Sequence, residues 1–278
     1  MCPITPTEAA IAGGDDPVAD GHEVVVEIAG GRVRRLRASA RLAPRVLRRG
    51  RVVQVAFVPL QAGPLAGDVD RVRLHVGAGE TLVAVPVAAT LALPGPERLE
   101  LHATVEAGGA LVLDEPPLIV AQGADVLRRT RIDLAEGAVA ALRDVVVLGR
   151  AGEAPGRLDA ELRVTLDGRP LLHDAVRLDE SRGDHVARRL GDRVLGTACL
   201  LGIPDEPSLH GPGALRRAAG PDLPGVEAAL AGDWERWAQL VTSASRTARG
   251  STPSASSVRH APPVSSWSDA SRRCSTPM

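Results

Sequence analysis

The residues able to do chemistry are few and dispersed. Asp68 sits just beyond the flexible turn of a glycine-containing loop, QAGPLAGDVD at 61–70, in which Gly63 and Gly67 permit backbone angles or close approaches that other residues resist. Two roles are open to its carboxylate: capping backbone N–H groups of the turn, as Asp commonly does, or binding a cation. Asp114, Glu115, Asp144 and Asp179 interrupt or end strongly apolar strands and so are candidate interior acids. The competing reading is that they cap turns or face solvent, since carboxylates are rarely buried. His75 and His102 fall on the polar phase of two strands in adjacent repeats, where stacking would bring them close and simple exposure would not. His173 and His185 stand beside Asp174 and Asp184, but neighbours on a strand point to opposite faces, so adjacency makes no acid–base dyad.

Motifs that announce catalysis or tight metal binding are missing. There is no G-x-x-x-x-G-K-[ST] loop, H-E-x-x-H helix, G-x-S-x-G elbow or C-x-x-C pair. All 33 basic residues are Arg, so a phosphate loop that needs Lys is impossible. Cys2, Cys199 and Cys274 are scattered, which fits reduced thiols rather than a disulfide framework or a paired metal motif.

Composition narrows the partners. Thirty-three basic against 34 acidic residues argue against a general polyanion binder, and one Phe with three Trp supplies no base-stacking platform, so nucleic acid is not an expected partner. The longest apolar runs, such as Thr81 to Leu93, fall short of the ~20 residues that cross a bilayer, so no membrane partner is expected. Residues Met1 to Asp20 lack a basic and then apolar leader, which makes the cytoplasm the expected compartment.

The elements that must position these residues are strands. Val24, Val26 and Ile28 alternate with Val25 and Glu27, and the same period of two runs through Val72 to Val76, Leu99 to Ala103 and Leu162 to Leu166. Each strand meets a glycine-containing turn and then a second apolar strand, as in VRLHVGAGETLVAV and RVTLDGRPLLHD, a pattern that reads as hairpins. The turn glycines Gly50, Gly79, Gly108 and Gly137 recur every 29 residues, with Gly168 following 31 later. Units that cannot bury an apolar face alone must stack. The expected fold is therefore all-β, with repeated strand-turn-strand units forming either a β-solenoid-like stack or an elongated two-sheet sandwich.

After Arg188, prolines 204, 207, 212, 221 and 224 suggest irregular coil with short helical pieces. Leu223, Val226, Leu230, Trp234, Trp237 and Val241 then recur at helical spacing, predicting one helix over about 225–242, docked on the β body or in a partner's groove. Residues 1–21 and 243–278 have the composition of disordered tails, which leaves 22–242 as the folded body.

Several segments together resemble the urease accessory protein family UreD, also called UreH. The order AGPLAGD at 62–68, VRLHVGAGETLVAV at 72–85 and VPVAAT at 85–90 is similar to that family's glycine-rich loop, strand, Gly-Ala turn and following strand. LVLDEPPLIVAQGAD at 111–125, RRTRIDLAEGAVAALRDVVVLGR at 128–150 and LDGRPLLHDAVRLD at 166–179 continue the likeness. Gln61, Ala62, Ala66, Val87 and Leu91 depart from the family pattern.

The resemblance implies a non-enzymatic scaffold that binds apo-urease with UreF and the GTPase UreG, and that helps nickel reach the urease active site. It implies no tightly bound cofactor, only transient nickel. A transit path suits dispersed oxygen ligands better than a retentive His and Cys cage, which makes Asp68, Asp114, Glu115, Asp144 and Asp179 the candidate path. The surfaces that meet these partners are not identified by the sequence. Two other functions fit the strand pattern: a carbohydrate-active enzyme on a β scaffold, using paired carboxylates, or a protein-interaction module without urease partners.

Overall fold

The 29-residue spacing of the turn glycines is the pitch of the fold. A computed structural model describes residues 23–178, 192–205 and 207–247, with the side chains of 245–247 excepted. Gly50, Gly79, Gly108, Gly137 and Gly168 all adopt positive φ, between 63° and 123°, a region closed to most side chains. At Gly79, Gly108 and Gly137 they turn corners between two facing sheets.

The seven-stranded sheet comprises, in spatial order, β14 (Arg169–Leu178), β13 (Arg157–Leu166), β11 (Ala124–Leu134), β8 (Gly95–Val105), β5 (Val69–Val76), β1 (Glu23–Ala29) and β2 (Arg32–Arg37). The main path of the nine-stranded sheet runs β16 (Gly213–Gly220), β15 (Val194–Leu201), β12 (Val139–Leu148), β9 (Ala110–Asp114), β6 (Thr81–Val85), β4 (Val52–Pro59) and β3 (Leu42–Arg48). Two short strands, β7 (Thr90–Ala92) and β10 (Leu118–Val120), pair in parallel beside the end of β12.

Successive coils lie in parallel register one period apart. Val52 pairs with Thr81, Thr81 with Ala110 and Ala110 with Val139 in one sheet; Val69 pairs with Arg98 and Arg98 with Leu127 in the other. The expected β-solenoid-like stack and the expected two-sheet sandwich are thus one object: coils wound between two sheets, closed by antiparallel strands at either end.

This corrects the hairpin reading. Of the strand-turn-strand units, β1 and β2, β3 and β4, and β13 and β14 do pair antiparallel across their turns. In the other three, the strands flanking Gly79, Gly108 and Gly137 go to opposite sheets. The physical reason is burial. All five residues of β6 and all five of β9 are buried, so both faces need cover, which a hairpin with one wet face does not give. The region after Arg188 is also corrected, since β15 and β16 pair antiparallel there instead of forming coil. Its prolines at 204, 207 and 212 sit between the two strands, and 221 and 224 lie after the second.

Helix α1 (Leu223–Thr247) supplies the outer cover and continues past the expected 242. Val226, Leu230, Trp234, Trp237 and Val241 pack with Val112, Ala141, Ala198 and Leu200 on the outer face of the nine-stranded sheet. Gly196 lets the helix approach closely, because a Cβ there would meet Leu230 and Val226 at 2.7 Å. Between the sheets, the core divides into a large cluster around Ile28, Leu74, Leu111 and Ile132 and a smaller one around Leu118, Val126, Leu148 and Leu158.

Candidate functional site

The division in the core marks the place where polar side chains occupy the inward phase. On β11 the inward residues run Val126, Arg128, Thr130, Ile132 and Leu134, so a guanidinium and a hydroxyl fall among aliphatic groups. Arg128 is 6% exposed. It pairs with Glu115, just past β9, and with Asp144 of β12 at 2.7 Å. Glu115 Oε1 is buried and takes no hydrogen bond. Beside this triad lies a cleft of about 40 Å³, lined by Glu115, Arg128, Thr130, Asp144, Glu161 and Asp174 among others. That is room for about three waters. The cleft sits where β11, β13 and β14 face β12 and β15, at the last of the parallel coils.

A second polar group lies one row towards the chain's glycine-containing loop. Glu97 of β8 neighbours Val126 in register and is buried, and neither carboxylate oxygen takes a well-formed hydrogen bond from the described residues. Burial pushes its pKa up to about 7 against the opposing pull of the nearby Leu93 N–H; the carboxylates of Asp68 and Asp70 add to the rise, and Arg41 opposes it. Arg41 itself pairs with Asp68 and, at 2.8 Å, with Asp70.

Asp68 therefore does two things: its carboxylate accepts the Leu65 N–H at 2.6 Å, the turn-capping role, and it also meets Arg41. Gly67 has φ +86° and Gly63 φ +128°; a Cβ on Gly63 would sit 3.0 Å from the Leu65 nitrogen and 3.2 Å from the Arg41 guanidinium.

Of the candidate acids, Glu115 and Asp144 come together, joined by Arg128. Asp114 does not join them: it lies on the other face of its strand, where Arg143 grips it at 2.7 and 2.8 Å and stacks over Trp234 at 5.2 Å. Burial raises the Asp114 pKa against the opposing pull of Arg143. Asp179 lies outside the described residues, as do Asp184 and His185. His75 and His102 do not meet. Each turns to a carboxylate, Glu106 at 3.0 Å and Asp133 at 2.8 Å. His173 pairs with Glu161 while its neighbour Asp174 pairs with Arg217. Cys199 is wholly buried in the core, and burial pushes its thiol up to about 12, so it is inert at neutral pH.

Arg41, Glu97, Arg128 and Thr130 were not among the candidates. The signal for three of them was present, because extending the period-two phase from Leu99 back to Glu97, and from Ile132 back to Thr130 and Arg128, puts polar residues on the inward face. Arg41 has no comparable signature; its role depends on a strand pairing that brings it to Asp68 from 27 residues away.

The fold and this interior define a parallel-coil β scaffold with a helix on its outer face and ionised groups buried between its sheets. The family comparison places it more narrowly. Residues 22–260 match the model of the family described as UreD urease accessory protein, and the chain belongs to that family. It is 36% identical over 216 residues to the urease accessory protein UreD 1 of Streptomyces griseus, covering 73% of this chain and 85% of that protein. It is 40% identical over 162 residues to the UreD of Frankia casuarinae, 53% of this chain and 50% of that one. With the UreD of Streptomyces coelicolor the identity is 35% over 195 residues, 62% of this chain and 77% of that protein.

Proposed function

We propose that this chain is a non-catalytic urease maturation factor, which binds apo-urease with UreF and UreG in the cytoplasm and assists delivery of nickel to the urease active site. The observation that carries the nickel part of this reading is the carboxylate pair Glu115 and Asp144, held between the sheets beside a water-sized cleft. A structural core gains little from charged carboxylates, and these two, 11% and 28% exposed, stay open to the cleft, so this reading accounts for their place by traffic of a cation. Oxygen ligands with water bind a divalent ion loosely enough to release it, which delivery requires. Nickel in this reading is cargo. Arg128 neutralises the acids while no ion is present, and Glu97 and the Arg41–Asp68–Asp70 group extend the polar interior towards the loop at 61–70.

The test is reconstitution. The chain should form a stoichiometric complex with UreF by size-exclusion chromatography and then recruit UreG and apo-urease. Within that complex, Glu115→Gln with Asp144→Asn, combined with Arg128→Met so that no buried charge is left unpaired, should reduce nickel-dependent urease activation while leaving assembly intact. Full activation by this variant would remove nickel passage through this interior from the account.

A further inference from the structure

Nine of the 33 basic residues fall within residues 30–51, a stretch that holds none of the 34 acidic ones. The fold carries this stretch to one end of the molecule. β2 is the terminal strand of the seven-stranded sheet and β3 that of the nine-stranded sheet. Two turns bearing the charge meet at a single corner. Gly31, beside Arg32, donates its N–H to Glu80 Oε1 at 2.9 Å, and Val52, beside Arg51, pairs with the adjacent Thr81.

Arg41 is committed to Asp68 and Asp70, and Arg34 donates to the Ala29 carbonyl at 3.0 Å. Arg32, Arg35, Arg45, Arg48, Arg49 and Arg51 are exposed and make no ion pair among the described residues. The opposite end differs. Arg177 of β14 and Arg216 and Arg217 of β16 each meet a carboxylate: Asp159 at 3.4 Å, Asp233 at 2.8 Å and Asp174 at 2.5 Å. Keeping an edge strand from unwanted pairing takes one or two charges. Six unmatched guanidinium groups at one end of a nearly neutral chain exceed that need.

We infer that this arginine-rich end is a docking surface for a carboxylate-rich face of a partner protein, an inference that rests on the chain working in a multiprotein assembly. Guanidinium groups pair carboxylates in bidentate fashion and are the cations most suited to interfaces. Leu36 and Leu47, 42% and 59% exposed, stand among the arginines and give the partner apolar contact points. A protein face fits better than nucleic acid, because residues 30–51 contain no aromatic ring on which bases stack. It fits better than a lipid surface, because the stretch has no Trp or Tyr to anchor at a membrane interface.

The test uses the full chain with Arg48→Glu, Arg49→Glu and Arg51→Glu combined. These residues are exposed and unpaired, and the fold of the variant is checked by circular dichroism. Binding to apo-urease, UreF and UreG is measured separately by calorimetry at 50 and 300 mM NaCl. The inference predicts that one of the three binds the wild type in a salt-sensitive manner and binds the variant at least about tenfold more weakly, the others being unchanged. Equal binding of wild type and variant to every partner overturns the inference and leaves the maturation role standing. No binding of the wild type to any of them overturns both. Reversal-sensitive binding to vesicles of phosphatidylcholine and phosphatidylserine, with unchanged protein binding, replaces the protein face with a membrane and also overturns it.

Discussion

Replacing Glu97 by Gln should stabilise the protein, and chiefly at high pH. The folded carboxyl titrates at about 7, against an ordinary value near 4.5. Below 4.5 the group is protonated whether the chain is folded or not, and it contributes nothing. Between the two values the folded state keeps a proton that the unfolded chain has lost, so stability falls as pH rises, and the loss is complete above 7. At ~1.4 kcal/mol per pH unit the gap corresponds to about 3 kcal/mol. Gln is neutral throughout and leaves the same buried polar positions without well-formed hydrogen bonds from the described residues, so that cost is shared with the protonated acid. The assay is urea denaturation followed by tryptophan fluorescence at pH 5 and pH 8. The Glu97→Gln variant should gain about 3 kcal/mol at pH 8 and only about 0.8 at pH 5. An equal change at both pH values, or a loss at pH 8, would refute a buried carboxyl with an elevated pKa.

Arg128→Met should cost about 3–5 kcal/mol at pH 7, because it strands Glu115 and Asp144 without their cation. Adding Glu115→Gln and Asp144→Asn to it should recover most of that loss in the same denaturation measurement. Trp237→Ala should cost about 3–5 kcal/mol, since the ring is wholly buried and its indole N–H donates to Asp205 at 2.6 Å. Gly137→Ala, at φ +67° with the added methyl in ordinary contact 3.9 Å from the Gly108 nitrogen, should cost only about 1–2 kcal/mol, read as a lowered urea midpoint.

The glycine period and the alternation of Val and Leu were enough to read the strands, their stacking and the docked helix. The alternation could not tell a hairpin from a corner. Gly79, Gly108 and Gly137 have the same φ region as Gly168, yet Gly168, like Gly50, reverses the chain within one sheet and they do not. Partner choice depends on what covers β6 and β9, and their cover comes from α1 and from the facing sheet, remote in sequence. The strands β15 and β16 were obscured by prolines that lie just outside them.

The interior site was half legible. Glu115 and Asp144 stood out as acids ending or interrupting apolar strands, but Asp114 carried the same signal and points the other way. One residue of offset separates the two faces of a strand, so the adjacent Asp114 and Glu115 point opposite ways, and only the facing elements decide which of the two looks inward. Arg128 was hidden within the run RRTR, where only the phase of the strand separates an inward guanidinium from its exposed neighbours.

The central claim is tested most directly by assembling the chain with UreF, UreG and apo-urease and measuring nickel-dependent activation against the same mixture carrying Arg128→Met, Glu115→Gln and Asp144→Asn. The account predicts intact assembly in both mixtures, full activation with the wild type and a marked loss with the variant. Activation that is independent of this chain, or indifferent to the two acids in an assembled complex, would contradict it.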